Sequence, residues 1–374
     1  KSIHANESST YKTNDLRDKR DQKVKELSEL IDLNLNSEQD GQISLTLKDG
    51  TPLVLKSSVF TMKTLANGNN KSFLDIGVLD EAGNNKNVTS SLTGGTIKGF
   101  LEMRDVEVEG LKDKLDRLAA GFIQEFNEIH QQGFGIDGST GNNFFNPLKT
   151  TVESNVNNTG SSKLTAANGD PSNISIDKYE ITFTGSNSIS LQNLTTGASS
   201  GTFTFTSGST FNLANGFAVT ISGAPAVGDS YKISASESAA KQFSVSSKIL
   251  SNSNKISAGL NSRTDGGNAR ALTDLQSKLV FDNVTLKAGS GTFTFDEFYS
   301  SIVSTVGIQS YASRNTLSQK DGILLQLNTR RESISGVSID EEMINMIKFQ
   351  QAFNAAARLI GVAEEMMDNL INQV

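Results

Sequence analysis

Apolar side chains recur at helical spacing along the last part of the chain. When a heptad is counted from Met343, the a, d and g positions are mainly apolar, which is typical of a helix that packs against other helices. Ser338 and Glu341 form a capping box, which predicts that the helix begins at Ile339. With no proline after this point, the segment can run to Val374 as one helix of roughly 50 Å at 1.5 Å per residue.

The apolar stripe of this C-terminal helix is the candidate assembly interface. An ordinary helix that faces its own core would show the same periodicity. The alternative is a coiled-coil or bundle element whose partners lie partly in other chains, with polar Gln350 and Glu364 at a positions setting the register. The predicted interface residues are Met343, Met346, Phe349, Phe353, Ala357, Ile360, Met367, Leu370, Ile371 and Val374.

Helical periodicity also marks three segments upstream. Residues 14–31 carry apolar positions on one face and place Asp15 and Asp18 in the first turn, where the helix dipole favours acidic groups. Residues 101–132 repeat the pattern over a greater length and predict a long core helix. Residues 296–331 are helical with polar interruptions, which favours packing against only one or two neighbours.

Two regions show the alternation of a strand instead. Residues 43–47 and 53–55 alternate around the turn pair Asp49-Gly50 and predict a β-hairpin, in which Pro52 makes the second strand an edge strand. From about residue 150 to residue 236 the helical period disappears, and alternating apolar positions in Ser-, Thr- and Gly-rich sequence predict an all-β insertion.

The predicted fold class is therefore α+β, in an elongated multidomain chain. Residues 1–149 and 237–337 form a discontinuous helical domain with a β-hairpin at about 34–100. Residues 150–236 form an inserted β-rich outer domain, and residues 338–374 form a C-terminal coiled-coil or assembly helix.

Composition narrows the class of function. The chain has 374 residues, enough for about two or three domains. Its net charge of -7 argues against a nucleic-acid partner, and no apolar run is long enough to predict a membrane span. No cysteine is present, which excludes disulfides, thiolate metal ligands and cysteine nucleophiles. The N-terminal residues show no apolar signal-peptide segment and no initiator Met, so we expect a fragment.

Residues that could support catalysis or metal binding are few. His4 lies in a polar tail, and His130 lies near the end of a helix, where interaction with the helix dipole is a simpler role than general base. Residues 133–138 match G-x-G-x-x-G, but they follow a helix rather than a strand and predict a turn-rich loop. Asp137 begins a loose calcium-like spacing, but Leu148 stands where an EF-hand needs Glu. We therefore predict no enzyme activity and no catalytic, cofactor or metal site.

Several sequence words resemble the bacterial flagellar axial proteins, and taken together they resemble the family of hook-filament junction proteins. The words at residues 335–342 and 349–353 are shared with hook and rod relatives. Others, in the expected order, extend the resemblance over the rest of the chain. The words are found at residues 14–21, 94–101, 122–133, 144–145, 219–229, 335–342 and 349–353.

This resemblance implies a structural role in the flagellum, outside the cell, after secretion. It implies self-association in a ring or helical layer, with the hook protein, a second junction protein and a type III export chaperone as partners. The family's N-terminal helical segment has no counterpart here, so the C-terminal stripe is expected to lack its usual intrachain partner. The alternatives are another axial protein, such as hook protein or a flagellin-like protein, or a secreted β-rich adhesin or hydrolase.

Overall fold

Residues 14–37, 42–170, 174–281, 291–336 and 338–371 are described by a computed structural model of the protein. The chain divides into two units, Lys1–Ile302 and Val303–Val374. The first unit contains the strands, the shorter helices and the two apolar cores. The second contains most of one long helix and all of another.

The first unit begins with a helix and two small antiparallel sheets. Helix α1 (Asn14–Leu30) confirms the predicted helix of residues 14–31. The first sheet has the order β1-β2-β3-β4 and the second the order β5-β6-β7. The strands are β1 (Asn34–Ser37), β2 (Ile43–Thr46), β3 (Pro52–Leu55), β4 (Ser58–Val59), β5 (Met62–Ala66), β6 (Leu74–Leu79) and β7 (Asn85–Asn87).

The predicted hairpin is present, but its second strand is not an edge. β2 and β3 pair antiparallel as expected, and β3 also pairs with the short β4. The structure accommodates Pro52 differently, because Pro52 is the first residue of β3 and the register shifts next to it, between Leu45 and Thr46. The prediction of an edge strand from Pro52 was therefore wrong.

These elements enclose a small core, which we call the hairpin core. Its members lie on the strands, just after α1, or in the segments that follow the strands, and each faces inward. The buried members are Ile31, Leu47, Leu53, Val78, Val88, Leu92 and Leu101.

A long central helix crosses the first unit. It consists of α2 (Gly95–Glu102), a π-helical turn (Met103–Glu107) and α3 (Val108–Gln132). Gly95 starts it with a φ of +84°, and a Cβ there would lie 2.5 Å from the carbonyl oxygen of Leu30. Only glycine combines that conformation with so close an approach to α1. The long core helix predicted from the apolar period is confirmed, with a π turn that the period did not predict.

The β insertion is also confirmed. Its strands form a five-stranded sheet of order β12-β11-β10-β15-β8 and a three-stranded sheet of order β13-β14-β9, with antiparallel pairing. The strands are β8 (Thr151–Ser154), β9 (Lys163–Asn168), β10 (Lys178–Gly185), β11 (Ser188–Asn193), β12 (Ser199–Thr204), β13 (Thr210–Asn212), β14 (Phe217–Ser222) and β15 (Ser230–Ser234).

After the insertion, the chain returns to the central helix through short helices. These are α4 (Ala239–Gln242), α5 (Ser247–Ser251) and α6 (Gly267–Asp274), with 3-10 turns at Ser253–Lys255 and Leu275–Ser277. α7 (Phe295–Ser335) then begins.

A second core, which we call the insertion core, joins α3 to the β insertion and to the start of α7. Apolar residues that alternate along the strands, such as Ile181 and Phe183, are fully buried in it. Phe281 is also fully buried, and its ring stacks on Phe298 at 4.3 Å between centroids. The start of α7 is therefore fixed by aromatic packing in the first unit.

The second unit contains the rest of α7 and α8 (Ile339–Ile371). The hydroxyl of Ser338 accepts a hydrogen bond from the backbone N–H of Glu341 at 3.4 Å. The start of α8 at Ile339 is therefore confirmed. The mixed α+β class is confirmed as well, whereas the predicted domain boundaries remain predictions.

Candidate assembly interface

The predicted interface residues lie along α8. Every side chain that the structure describes between residues 306 and 369 is exposed, and this range covers most of α7 and α8. Neither helix therefore covers the apolar side chains of the other. Met343, Met346, Phe349, Phe353, Ala357, Ile360 and Met367 are exposed.

Three members of the predicted interface have no described side chain. Leu370 and Ile371 lie in the last turn of α8, and the structure describes only their backbone. Val374 lies outside the described residues. The assignment of all ten residues to an assembly interface remains a prediction.

The exposure of this stripe is unusual for aromatic side chains. Phe349 is 75% exposed and Phe353 is 74% exposed, on one face of a helix of 33 residues. Large apolar side chains that cluster in solvent typically mark an interaction surface. An isolated amphipathic helix in water is also only marginally stable, because most helix stability in proteins comes from packing of the apolar face. The geometry of α8 thus favours a partner helix.

The sequence interpretation missed part of the exposed apolar surface. On α7, Tyr311, Leu317 and Leu325 are exposed in the second unit. On α8, Ile344 and Leu359 are exposed and lie outside the a, d and g positions. If apolar residues had been counted over a wider face of each helix, these residues would have been included, since they too recur at helical spacing. The exposed apolar surface of α8 is therefore broader than a strict heptad seam.

His130 does not have the role predicted from sequence. Its side chain is fully buried at the end of α3. Nδ1 lies 2.6 Å from the carbonyl oxygen of Asn142 and donates to it, while Nε2 accepts the backbone N–H of Ser257 at 2.9 Å. Burial lowers the pKa of His130, and the bond to Asn142 only partly opposes this effect. The ring is neutral and ties three segments together, so the expectation of a helix-dipole contact was wrong.

The loop after His130 is the turn that its sequence predicts. Gly138 has a φ of +83°, and the backbone N–H of Gly138 donates to the carbonyl oxygen of Gly135 at 2.9 Å. Asp137 accepts hydrogen bonds from the backbone N–H and the hydroxyl of Ser139, and these bonds lower the pKa of Asp137. Oδ1 of Asp137 is therefore used to close the turn.

Over the described ranges, no group of three or more His, Asp or Glu side chains is placed to hold a metal ion. In the same part of the chain, no helix is both long enough and apolar enough to cross a membrane.

Comparison with protein families matches both ends of the chain. Residues 1–145 match the model described as flagellar hook-associated protein FlgK helical domain. Residues 331–373 match the model described as flagellar basal body rod FlgEFG protein C-terminal. The second match covers all of α8, including the exposed stripe.

Curated relatives match the chain over nearly all of its length. Flagellar hook-associated protein 1 of Escherichia coli K12 is 30% identical over 366 residues, which are 96% of this chain and 64% of the relative. The protein of the same name from Salmonella typhimurium LT2 is 28% identical, and that from Bacillus subtilis 168 is 23% identical, each over 96% of this chain. The chain spans 64% of the length of the first two relatives and 58% of the third.

One solved structure supports the fold. The flagellar hook junction protein FlgK from Burkholderia pseudomallei superposes with a TM-score of 0.71 at 20% identity, and the match covers 86% of this chain and 79% of that one. The motif segments, the two family models and the relatives all match flagellar hook-associated or rod proteins. The chain is therefore similar to flagellar hook-associated protein 1 (FlgK) over nearly all of its length.

Proposed function

We propose that the protein is a structural component of the bacterial flagellum, which joins hook to filament by axial self-assembly. The observation that carries this proposal is the exposed apolar stripe of α8, inside the segment that matches the basal-body rod model. The names of the relatives support the hook-filament position, because each is a flagellar hook-associated protein 1.

The mechanism that we propose is mechanical rather than catalytic. Subunits stack in a ring or helical layer, and the α8 helices pack side by side. Each large apolar side chain that becomes fully buried contributes about 1.5–3 kcal/mol, so burial of Phe349, Phe353 and Ile360 together outweighs the cost of ordering one helix. The β insertion then sets contacts on the outer side of the layer.

The partners follow from this arrangement. We propose further copies of the same chain, the hook protein and a second junction protein as neighbours, and an export chaperone that holds the α8 stripe before assembly. The site of action is the flagellum outside the cell. No nucleic acid and no membrane takes part in this proposal.

A double substitution on the stripe tests the proposal. A strain without the gene is complemented with the full-length gene that carries Phe353→Asp and Ile360→Asp, and motility, filaments in electron micrographs and flagellin shed into the medium are measured. We expect hooks without filaments and shed flagellin, because two carboxylates in the apolar seam cannot be buried unpaired.

A matched control uses Gln351→Asp with Arg358→Gln. These positions have the same spacing of seven residues and the same total charge change of two units, but they lie off the a, d and g stripe. We expect normal filaments for the control. Normal filaments for Phe353→Asp/Ile360→Asp would refute the role of the stripe.

A second candidate is another axial protein, such as hook protein or a flagellin-like protein. The match to the rod-protein model favours it, because that model covers the α8 segment. Electron micrographs of the deletion strain separate the candidates. Hooks without filaments together with flagellin shed into the medium support the junction role, hooks without filaments and without shed flagellin support a flagellin-like role, and absent hooks support a hook or rod role.

A further inference from the structure

The two cores of the first unit are joined through polar side chains. Among the described residues, the hairpin core and the insertion core share no member. Between Leu101, which belongs to the first, and Ala120, which belongs to the second, the only buried residue of the central helix is Asp116. The π turn Met103–Glu107 lies in this same stretch. Leu118 and Ala119 still pack against the insertion core, but between residues 102 and 117 apolar packing does little to hold the helix to its surroundings.

The loop between β5 and β6 bridges the gap beside the helix. The side-chain oxygen of Asn69 accepts the backbone N–H of Val156, in the β insertion, at 2.8 Å. A Cβ at Gly68 would lie 2.5 Å from Cγ1 of Val156, so the loop backbone touches the insertion. Lys71, with a φ of +48°, lies in the same loop.

Six charged side chains meet at this contact, and we call them the joint network. Lys71 comes from the β5–β6 loop, three members come from the start of α3, and two come from the β insertion and the residues that follow it. Their side chains are between 18% and 43% exposed. The members are Lys71, Lys112, Lys178, Glu109, Asp113 and Glu237.

Glu237 is the centre of the joint network. Its carboxylate lies 2.7 Å from Nζ of Lys178, 3.5 Å from Nζ of Lys71 and 3.8 Å from Nζ of Lys112. Lys71 also pairs with Glu109. Burial raises the pKa of Glu237, but the lysines outweigh it and the net pKa is lowered, so the carboxylate is charged at neutral pH. One carboxylate thus links the loop, the helix and the insertion.

We propose that the joint network is an electrostatic latch that fixes the orientation of the hairpin core relative to the β insertion, and that it opens as ionic strength rises. The side chains are 18–43% exposed, so salt ions reach the network and weaken its longer ion pairs, those of Glu237 with Lys71 and Lys112, most, because the Debye length falls from about 10 Å at 0.1 M to about 3 Å at 1 M. The cores themselves are apolar and keep their structure in salt. When the latch opens, the two cores move relative to each other, and the central helix bends at its π turn, where its hydrogen bonding is irregular.

Spin labels on both sides of the joint test this proposal in the full chain. The absence of cysteine permits labelling at two introduced sites, Glu81→Cys in the β6–β7 turn and Ser207→Cys in the β12–β13 turn, both exposed. Distance distributions are measured by pulsed electron spin resonance at about 0.1 M and about 1 M salt. We expect one narrow peak at low salt and the loss of that peak at high salt.

Lys71→Met and Lys63→Met are the matched variants. Lys63 is an exposed lysine of β5, and the described part of the chain shows no ion pair for it. We expect Lys71→Met to lose the narrow peak at both salt concentrations and Lys63→Met to behave like the parent.

Two results would overturn the latch. One is a narrow peak that persists in the parent at high salt, and the other is equal behaviour of Lys71→Met and Lys63→Met. Circular dichroism establishes that each variant is folded. If Lys71→Met does not fold, the salt series of the parent decides the question. The result does not depend on the flagellar role, because no assembly is measured.

Discussion

Mild acid should destabilise the insertion core because it favours protonation of the buried imidazole of His130. The two hydrogen bonds of His130 require a neutral ring with its proton on Nδ1, because a carbonyl faces Nδ1 and a backbone N–H faces Nε2. A protonated ring can no longer accept from Ser257, and two N–H groups then face each other in a fully buried site. The folded protein therefore resists protonation of His130.

The sign and size of the effect follow from linkage. The pKa of His130 is lowered from its ordinary value of 6.5 in the folded state, so below about pH 6.5 the unfolded chain binds a proton that the folded chain does not. The contribution of the neutral ring is complete above that pH and is lost as the pH falls toward the folded pKa. At about pH 5 the loss is at most about 2 kcal/mol, since one pKa unit corresponds to about 1.4 kcal/mol.

Urea unfolding at about pH 7.5 and about pH 5 measures this loss. The chain has no tryptophan, so near-ultraviolet circular dichroism of its phenylalanines and tyrosines is the appropriate signal. We expect the parent and His4→Gln to lose the same stability on acidification. His130→Gln should be less stable at about pH 7.5 but should show a smaller loss.

The comparison between variants isolates the imidazole. Carboxylates with lowered pKa values, such as Asp137, also lose stability in acid, but they do so equally in all three proteins. An equal pH dependence in His130→Gln and the parent would refute the assignment of the neutral ring as the acid-sensitive group.

Two further predictions concern the central helix, with the free energy of unfolding as the measurement. A Cβ at Gly121 would lie 2.8 Å from the ring of Phe281, so Gly121→Ala should destabilise the protein by about 1–3 kcal/mol. A Cβ at Gly110, on the same helix, would meet open space, so Gly110→Ala should stabilise the protein by about 0.5–1 kcal/mol. Equal effects of the two changes would contradict the close contact between Gly121 and Phe281. Both carboxylate oxygens of Asp116 accept backbone N–H groups at the start of α4, including that of Ala240 at 2.9 Å. Asp116→Asn should therefore lower the free energy of unfolding by about 1–3 kcal/mol. An unchanged stability would argue against this contact.

Local pattern predicted most of the elements. The capping box at Ser338 placed the start of α8, and alternation around Ile181 and Val219 identified strands of the β insertion. These features depend on neighbours a few residues apart, so the sequence carries them directly. The segment between residues 238 and 277 was not predicted, because its helices are too short to show a period.

The two wrong predictions had different causes. Pro52 predicted an edge strand, but β4 adds to the sheet beyond it. His130 predicted a helix-dipole contact, but loops from two other segments enclose the ring. The neighbours of His130 are therefore supplied by the fold, whereas β4 (Ser58–Val59) follows β3 directly but is too short to show an alternating pattern in the sequence.

The sequence by itself determined the apolar stripe of α8, the order of helical and β segments, and the similarity to flagellar hook-associated proteins. The tertiary structure alone decided which charges meet: Lys71 and Glu237 are 166 positions apart and form an ion pair. It also decided that His130 is neutral and that the α8 stripe is exposed. Periodicity reports which side of an element is apolar, but burial, charge pairing and protonation depend on what packs against that side, and only the folded chain supplies it.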